Sequence, residues 1–363
     1  MSEGKQRVLI TGVSGNLGTR VLSQLADFDV IGVDLAPPSS DKLSQFEAVD
    51  LGDETASYTL MRLLRQSDPY AVVHLAFVID PVRTGVLDKD RMWHINVAGT
   101  ARVMEAITEV NRVGGAIRKF IFPSSVSAYG SDLPLAVTED QPLRGHTLPY
   151  AIHKRESDLV AQLRAMEISK CRSYILRPHI YAGASVQNYL MGAFRGTPSG
   201  MSQRAQTMRA EDKHLPSLLP MGRRYLDNRI QFVHVDVVAR LIAYLLRRRE
   251  EDPQLTILNV AGRGEPLTFG QCVQISGNQL VRVPGKLLFR SVLALLWKLG
   301  ISGIPPEAAP YMTGTYIMDT SRLRAFLGED YENVIRYTVK EAFADSFRAV
   351  APKEQTVEHT AAG

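Results

Sequence analysis

A tyrosine and a lysine four residues apart, Tyr150 and Lys154, are the pair in this chain best suited to moving a proton. On a helix, side chains at this spacing project from one face and can meet. A free tyrosine has a pKa of about 10 and is a poor base at neutral pH, but a neighbouring ammonium favours the phenolate. The spacing therefore indicates acid–base chemistry at an alcohol, with a chance pairing on a solvated helix as the alternative.

A glycine-rich segment near the N-terminus is the second candidate site. Residues 11–18 read TGVSGNLG and follow a predicted strand. Their glycines allow a tight turn and close approach to a pyrophosphate, and the helix that follows offers free N–H groups to phosphates. Asp34 ends the next predicted strand, where a carboxylate can accept hydrogen bonds from both ribose hydroxyls of NAD and would repel the phosphate of NADP. The segment predicts NAD binding; the alternative is a plain loop with Asp34 capping residues 37–41.

Alternating strands and helices must hold these groups together. Short runs rich in Val, Ile and Leu alternate with amphipathic stretches, which is typical of βαβ units and of a parallel sheet covered on both faces. Strands are predicted at residues 7–11, 30–33, 46–49, 71–75, 119–123, 173–176, 230–233 and 256–260. Helices are predicted at residues 16–26, 54–66, 91–111, 150–168 and 237–249.

The predicted fold is α/β: a Rossmann-like, doubly wound parallel sheet with a smaller, mostly C-terminal α/β cap that binds substrate. Residues 1–178 are predicted to form the NAD-binding domain with the Tyr/Lys pair. Residues 179–352, which open with loops rich in Gly, Pro and Ser, are predicted to return the last strands to the sheet and to form the cap. The polar residues 353–363 are predicted to be a disordered tail.

Composition and charge exclude several other classes. The chain is 45% hydrophobic and 22% charged, as expected of a globular protein, and its net charge of +4 without a dense basic stripe argues against nucleic-acid binding. Cys171 and Cys272 stand alone, so neither a disulfide framework nor a metal site is predicted. The first residues leave no room for a signal peptide, and the longest apolar run, 287–299, is shorter than the roughly 20 residues that span a bilayer. We therefore expect a cytoplasmic protein without an integral membrane segment.

Motifs along residues 7–260 resemble, in order, those of the extended short-chain dehydrogenases/reductases, and within them the NAD-dependent epimerase/dehydratase family, which includes nucleotide-sugar 4-epimerases. The motifs are TGVSGNLG, Asp34, Asp50-Leu51, His74-Leu75-Ala76, NVAGT, SSVSAYG, YAIHK, RPHIYAG and QFVHVDVVA.

The resemblance implies roles for individual residues. It implies a catalytic tetrad of Tyr150, Lys154, Ser125 and Asn96, in which Ser125 holds the substrate oxygen and Asn96 orders a water beside Lys154. The implied NAD-binding residues are Gly12, Ser14, Gly15, Asn16, Leu17, Gly18, Asp34, Asp50, Leu51, Leu75, Ala76, Lys154 and Pro178. His74 and His234 each adjoin an apolar strand and are predicted to be structural, with Asp236 capping the next helix.

We expect the substrate to be a small molecule, and fewer residues of the sequence indicate which one. Candidate substrate residues are Phe77, Ser125, Asn188, Arg195 and Arg229. The last two bound an Arg-rich stretch, 195–229, which lies where the family binds a nucleotide sugar, with a solvated basic loop as the alternative. However, Ile230 stands where the family's epimerases often carry an arginine, and Phe77 makes the entrance apolar.

The sequence favours the first of three functions, and the other two are alternatives. The first is an NAD-dependent nucleotide-sugar epimerase or dehydratase that oxidises a sugar carbinol with Tyr150 as base. The second is an enzyme like 3β-hydroxysteroid dehydrogenase, or a ketone reductase, acting on an apolar alcohol, with the apolar, basic helix 285–299 at the membrane or at the substrate entrance. The third is a sensor of NAD(H) without catalysis, which has no need of a Tyr/Lys/Ser set. The family resemblance also implies a homodimer.

Overall fold

The structure, a computed structural model, describes residues 5–79, 81–133, 136–168, 170–249, 252–315 and 317–348. The predicted tail, 353–363, lies outside the described residues.

Strands occur throughout the described part of the chain, in thirteen segments. They are β1 Arg7–Thr11, β2 Asp29–Asp34, β3 Gln45–Ala48, β4 Ala71–His74, β5 Lys119–Pro123, β6 Arg172–Pro178, β7 Ile180–Ala182, β8 Ser217–Pro220, β9 Arg229–Ile230, β10 Phe232–His234, β11 Leu255–Val260, β12 Leu267–Thr268 and β13 Leu280–Val283.

The α-helices connect and cover these strands. They are α1 Asn16–Ser23, α2 Ala56–Ser67, α3 Pro81–Thr84, α4 Lys89–Trp93, α5 Gly99–Arg112, α6 Pro149–Ala165, α7 Tyr189–Arg195, α8 Gln203–Ala210, α9 Arg223–Asp227, α10 Val235–Arg247, α11 Phe269–Ser276, α12 Gly285–Lys298, α13 Ala309–Thr313, α14 Ser321–Leu327, α15 Tyr331–Val334 and α16 Val339–Asp345.

Seven parallel strands form the central sheet, in the order β11-β6-β5-β4-β1-β2-β3. The central strands are apolar on both faces, as a sheet covered on both sides requires: β4 is buried along its whole length, and so is β5. After β3 the chain crosses back to the other side of β1, so the order reverses between β1 and β4. Ligands of doubly wound folds bind at such a switch point. The predicted fold class is confirmed.

Two predicted elements are divided in the structure. The strand predicted at 230–233 is two short strands, because β9 pairs antiparallel with β12 whereas β10 pairs parallel with β7. The helix predicted at 91–111 consists of α4, a π-helical turn at His94–Ala98, and α5. The remaining predicted elements agree with the structure to within a few residues at their ends, where assignments are least certain from sequence.

The C-terminal part both completes the sheet and covers one end of it. β11 pairs with β6 along its whole length and forms the sheet edge. Helices α12 and α13 pack on the start of α6, where Phe289 and Leu293 join Leu148, Tyr311 and Met312 in one apolar cluster. The C-terminal part therefore contributes both to the sheet and to the surroundings of the Tyr/Lys pair.

Candidate active site

A cleft of about 610 Å³ opens where the central strands end. The segments that follow β1, β4 and β5 bring Gly12, Ala76 and Ser125 to its wall, and the last residue of β2, Asp34, joins them. Every residue predicted to bind NAD lines it: Gly12, Ser14, Gly15, Asn16, Leu17, Gly18, Asp34, Asp50, Leu51, Leu75, Ala76, Lys154 and Pro178. The sequence-predicted cofactor residues thus converge on one concave surface, at the switch point of the sheet.

The glycine turn between β1 and α1 tolerates no side chain at two positions. Gly12 has φ +72°, and a Cβ there would lie 2.4 Å from the Ala76 nitrogen. A Cβ on Gly18 would lie 2.3 Å from the Gly12 carbonyl oxygen. Gly15 precedes α1 and has no side chain that could cap it. No capping side chain therefore binds the first N–H groups of the helix. This is the cradle that a pyrophosphate needs.

Asp34 ends β2 beside the glycine turn and also lines the cleft. Its carboxylate accepts hydrogen bonds from the backbone nitrogens of Ser14 (2.9 Å) and Leu35 (2.8 Å). Each carboxylate oxygen can accept a second hydrogen bond, so the carboxylate keeps capacity for further donors. Asp50, by contrast, pairs with Arg91 and accepts from the Gly52 nitrogen at 2.9 Å. Its carboxylate is therefore held both by α4, through Arg91, and by its own loop.

Tyr150, Ser125 and Lys154 line the same cleft. Helix α6 begins with Pro149, whose missing N–H costs nothing because the first turn of a helix leaves its N–H groups unpaired. Tyr150 and Lys154 lie four residues apart on this helix and so share one face. Tyr150 is hydrogen-bonded to Ser125. The Lys154 ammonium donates to the Pro123 carbonyl at 2.7 Å and stands 3.6 Å from the ring centre of Phe77. Three of the four predicted tetrad residues thus share one wall of the cleft.

Burial sets the protonation of this pair. It raises the pKa of Tyr150 to about 12, against which the hydrogen bond with Ser125 acts. It lowers the pKa of Lys154 to about 7, against the attraction of Asp158. A cationic ligand next to Tyr150 would lower the phenol's pKa toward neutrality, because an opposite charge favours the phenolate.

Asn96, the fourth predicted residue, lies behind the cleft wall in the π-helical turn. Its side chain is fully buried and binds the backbone of Val78 at both ends, accepting from the nitrogen at 2.6 Å and donating to the carbonyl at 3.0 Å. It also lies 3.3 Å from His153 Nδ1. Asn96 therefore fixes the segment after β4, whose neighbouring residues Phe77 and Ile79 line the cleft.

Both predicted structural histidines are held by hydrogen bonds. His74 lies between the hydroxyls of Thr11 (2.7 Å) and Thr100 (3.0 Å), and burial lowers its pKa to about 3. His234 itself caps α10 by accepting from the Asp236 nitrogen at 3.1 Å. The prediction that Asp236 is the cap is wrong, because Asp236 lies in the first helical turn and pairs with Arg20.

The predicted substrate residues divide into two groups. Phe77, Ser125 and Asn188 line the cleft, although Asn188 also caps α7 through the Met191 nitrogen at 2.9 Å. Arg195 and Arg229 do not line it. Arg195 donates to the carbonyls of Val186 and Ser346 at 2.6 and 2.9 Å, and Arg229 pairs with Glu265 at 2.8 Å. Neither of these two arginines of the Arg-rich stretch is directed to the cleft.

Sequence reasoning missed most of the substrate half of the cleft. Apolar side chains from distant segments build it: Val86, Leu148, Tyr189, Ala308, Tyr311 and Met312. Among the described residues of the lining, Lys154 is the one lysine or arginine. The hydroxyls of Ser124 and Tyr181 also belong to the lining and have no hydrogen-bond partner within the described part of the chain. Buried hydroxyls normally have partners, so these two are available to a bound ligand.

A family model matches most of the chain. The model described as the NAD dependent epimerase/dehydratase family matches residues 8–261. An uncharacterized epimerase/dehydratase of Staphylococcus aureus is 23% identical over 161 residues, which are 43% of this chain and 48% of that protein. The chain thus spans about half the length of the curated relatives it matches.

Solved structures resemble the whole fold at low identity. The UDP-glucose 4-epimerase of Thermus thermophilus, solved with NAD, is 20% identical with a TM-score of 0.64 over 95% of this chain and 100% of that one. The UDP-glucose 4-epimerase of Thermotoga maritima, solved with UDP-glucose, is 19% identical with a TM-score of 0.62 over 94% of this chain and 97% of that one. At these identities the likeness confirms the fold.

Proposed function

Because the chain belongs to the NAD dependent epimerase/dehydratase family, we propose that it transfers a hydride between a secondary alcohol and NAD, with Tyr150 moving the proton. The observation that carries the proposal is the meeting of Tyr150, Ser125 and Lys154 in the cleft that also holds the glycine turn and Asp34. A chain that only sensed NAD(H) would have no use for this set.

The residues of the cleft fit NAD. Gly12 and Gly18 let the turn pack closely at positions where a Cβ would clash with backbone atoms of the chain itself. The N-terminus of α1 suits the pyrophosphate. Asp34 would hold the ribose hydroxyls and disfavour the extra phosphate of NADP. Bound NAD would supply the acceptor for a hydride leaving the carbinol carbon.

This chain's own residues would handle the alcohol oxygen. Ser125 would hold that oxygen by a hydrogen bond, and the Tyr150 phenolate would take its proton as the carbon–oxygen bond becomes a carbonyl. The Lys154 ammonium, on the same helix face, would favour the phenolate whenever it is charged. In the reverse direction Tyr150 would return the proton to the oxygen of a ketone.

The lining of the substrate half favours an alcohol with an apolar body. A nucleotide sugar brings a diphosphate, and such groups are normally held by arginine or lysine side chains or by free backbone N–H groups. Arg195 and Arg229 are engaged elsewhere, and Leu148, Tyr189 and Met312 present carbon surface instead. Burying carbon surface of that kind stabilises a complex by roughly 25 cal/mol per Å².

A nucleotide-sugar epimerase is the second candidate. Gln187 and Asn188 bring carboxamides to the cleft, and such groups suit the hydroxyls of a sugar or the polar edge of a base. In this reaction the same Tyr150 would oxidise a sugar carbinol, and the hydride would return to the other face, without net use of NAD.

A substrate panel distinguishes the two candidates. We expect the purified protein with NAD to accumulate NADH with secondary alcohols on apolar rings or long chains, and to leave UDP-sugars unchanged. The measurement is NADH absorbance together with chromatography of the sugar nucleotides. Interconversion of UDP-sugars without net NADH, and no turnover of apolar alcohols, would reverse the order of the candidates.

A further inference from the structure

Helix α12, Gly285–Lys298, is apolar on two opposite sides. Its inner side buries Phe289 and Leu293 in the cluster with Tyr311 and Met312. Its outer side exposes Leu287 by 85% and Leu295 by 56%. A surface helix normally turns polar residues outward, so an outward leucine row indicates an interaction surface.

The exposed carbon surface continues beyond the helix. Leu288 and Leu299 are each 49% exposed on the same outer side. Exposed Met221 precedes α9 and binds Val283 just before the helix begins. At the other end Met201 is exposed beside Ser202, which binds the Gly300 carbonyl. Large exposed apolar side chains thus follow the helix from end to end.

The charged residues of the helix itself have a single sign. The chain has no aspartate or glutamate between Glu265 and Glu307, whereas the same stretch contains Arg282, Lys286, Arg290 and Lys298. Lys286, Arg290 and Lys298 lie on α12 itself and are exposed. Two copies of such a surface would repel each other, so the charge argues against self-association through it and for an anionic partner.

We propose that the outer side of α12, with the exposed methionines at its two ends, docks the protein on an anionic lipid bilayer. Its leucines would enter the boundary between headgroups and acyl chains while its cations contact anionic headgroups. No helix of the described residues is long and apolar enough to cross a membrane, so the docking is interfacial. It goes beyond the proposed function and does not depend on it.

The inner side of the helix connects this surface to the cleft. Phe289 and Leu293 touch the cluster to which Leu148, Tyr311 and Met312 contribute, and those three also line the substrate half. A docked helix would therefore place the apolar half of the cleft near the acyl region, from which an apolar alcohol could reach it without crossing water.

Vesicle flotation of the full chain tests the proposal. We expect binding to vesicles of equal parts phosphatidylcholine and phosphatidylglycerol, none to phosphatidylcholine alone, and release by high salt. The L287S/L295S variant should bind more than about tenfold more weakly, and K286Q/R290Q/K298Q about 100-fold more weakly. The matched control is Leu163→Ser, which removes a leucine that is 69% exposed on α6, and it should bind as the wild type does.

Other outcomes overturn the proposal. It fails if the wild type does not float with anionic vesicles, or if L287S/L295S floats equally well while its thermal unfolding matches the wild type. It also fails if sedimentation gives a dimer that L287S/L295S dissociates and vesicles do not bind, because a second copy then covers the surface. NAD binding is measured in parallel, so failure here remains distinguishable from failure of the proposed function.

Discussion

Tyr150 and Ser125 form the contact on which the proposed chemistry depends most closely. Burial raises the pKa of the phenol to about 12, although the hydrogen bond with Ser125 acts to lower it. A base with so high a pKa is scarce in its active form at neutral pH. We therefore predict that the rate of alcohol oxidation depends on every group that favours the phenolate.

Replacement of Ser125 by alanine tests that dependence. Alcohol oxidation needs the phenolate, so its rate should rise with pH, whereas ketone reduction needs the phenol and should fall. Loss of the Ser125 hydrogen bond raises the pKa of Tyr150, so in Ser125→Ala the rise should move to higher pH and the neutral-pH rate should fall about 10- to 100-fold. The pH profile of kcat is the measurement. A reduced rate with an unshifted profile would limit Ser125 to holding substrate.

Lys154 should lower the stability of the folded chain in the pH range in which its charge favours activity. Its pKa is about 7 in the folded chain and about 10.5 unfolded, so between these values the unfolded state binds more protons and stability rises with pH. We expect Lys154→Met to be inactive. The gain in its free energy of unfolding over that of the wild type should be about 2 kcal/mol larger at pH 7 than at pH 9, because each pKa unit is worth roughly 1.4 kcal/mol. Urea unfolding at the two pH values checks this. An equal difference at both would show that Lys154 is not buried as a neutral amine.

At the scale of elements, the β1–α1 turn and the end of β2 were readable from the sequence because local rules dictate them. Gly12 needs positive φ and Gly18 needs close packing, and both requirements leave a glycine at a fixed spacing. The π-helical turn at Asn96 was not readable. Its apolar pattern continues into α5, and only the tertiary contact with Val78 reveals the irregular turn.

Asp34 links these two elements and should govern cofactor choice. Asp34→Ala removes the acceptor for the ribose hydroxyls and the charge that repels a 2′-phosphate, so we expect NAD to bind about 10- to 100-fold more weakly and NADP to lose much less. The Asp34→Asn variant removes the charge but keeps an acceptor for the Ser14 nitrogen, and so controls for damage to the turn. Titration calorimetry with both cofactors measures the effect. Unchanged NAD affinity in Asp34→Ala would exclude this carboxylate from the site.

At the scale of the whole molecule, the sequence predicted the cofactor half of the cleft far better than the substrate half. Ser14 and Ala76 follow β1 and β4, and Asp34 ends β2; because these three strands are neighbours in the sheet, the order of a parallel sheet suffices to bring the residues together. The substrate half instead joins Leu148 with Tyr311 and Met312, which are more than 150 residues away in the chain. Both lie on the short helix α13, which no strand positions.

The placement of side chains in the whole molecule explains why Arg195 and Arg229 were wrongly expected at the substrate site. Arg195 and Arg229 are near the cleft in sequence order, but Arg195 turns to backbone carbonyls of Val186 and Ser346, and Arg229 turns to Glu265. Charge counts along a chain do not show which way a side chain points. Phe77 already indicated an apolar entrance, and the positions of these two arginines leave that apolar character without an opposing cationic wall.

The central claim is that Tyr150 moves the proton while NAD accepts the hydride, and one comparison tests it most directly. Wild type and Tyr150→Phe are assayed for NADH formation with the best alcohol of the panel, after calorimetry has shown that both bind NAD equally. The account predicts that Tyr150→Phe loses at least about 100-fold in kcat, since it lacks only the hydroxyl. Equal turnover by the two proteins would contradict it.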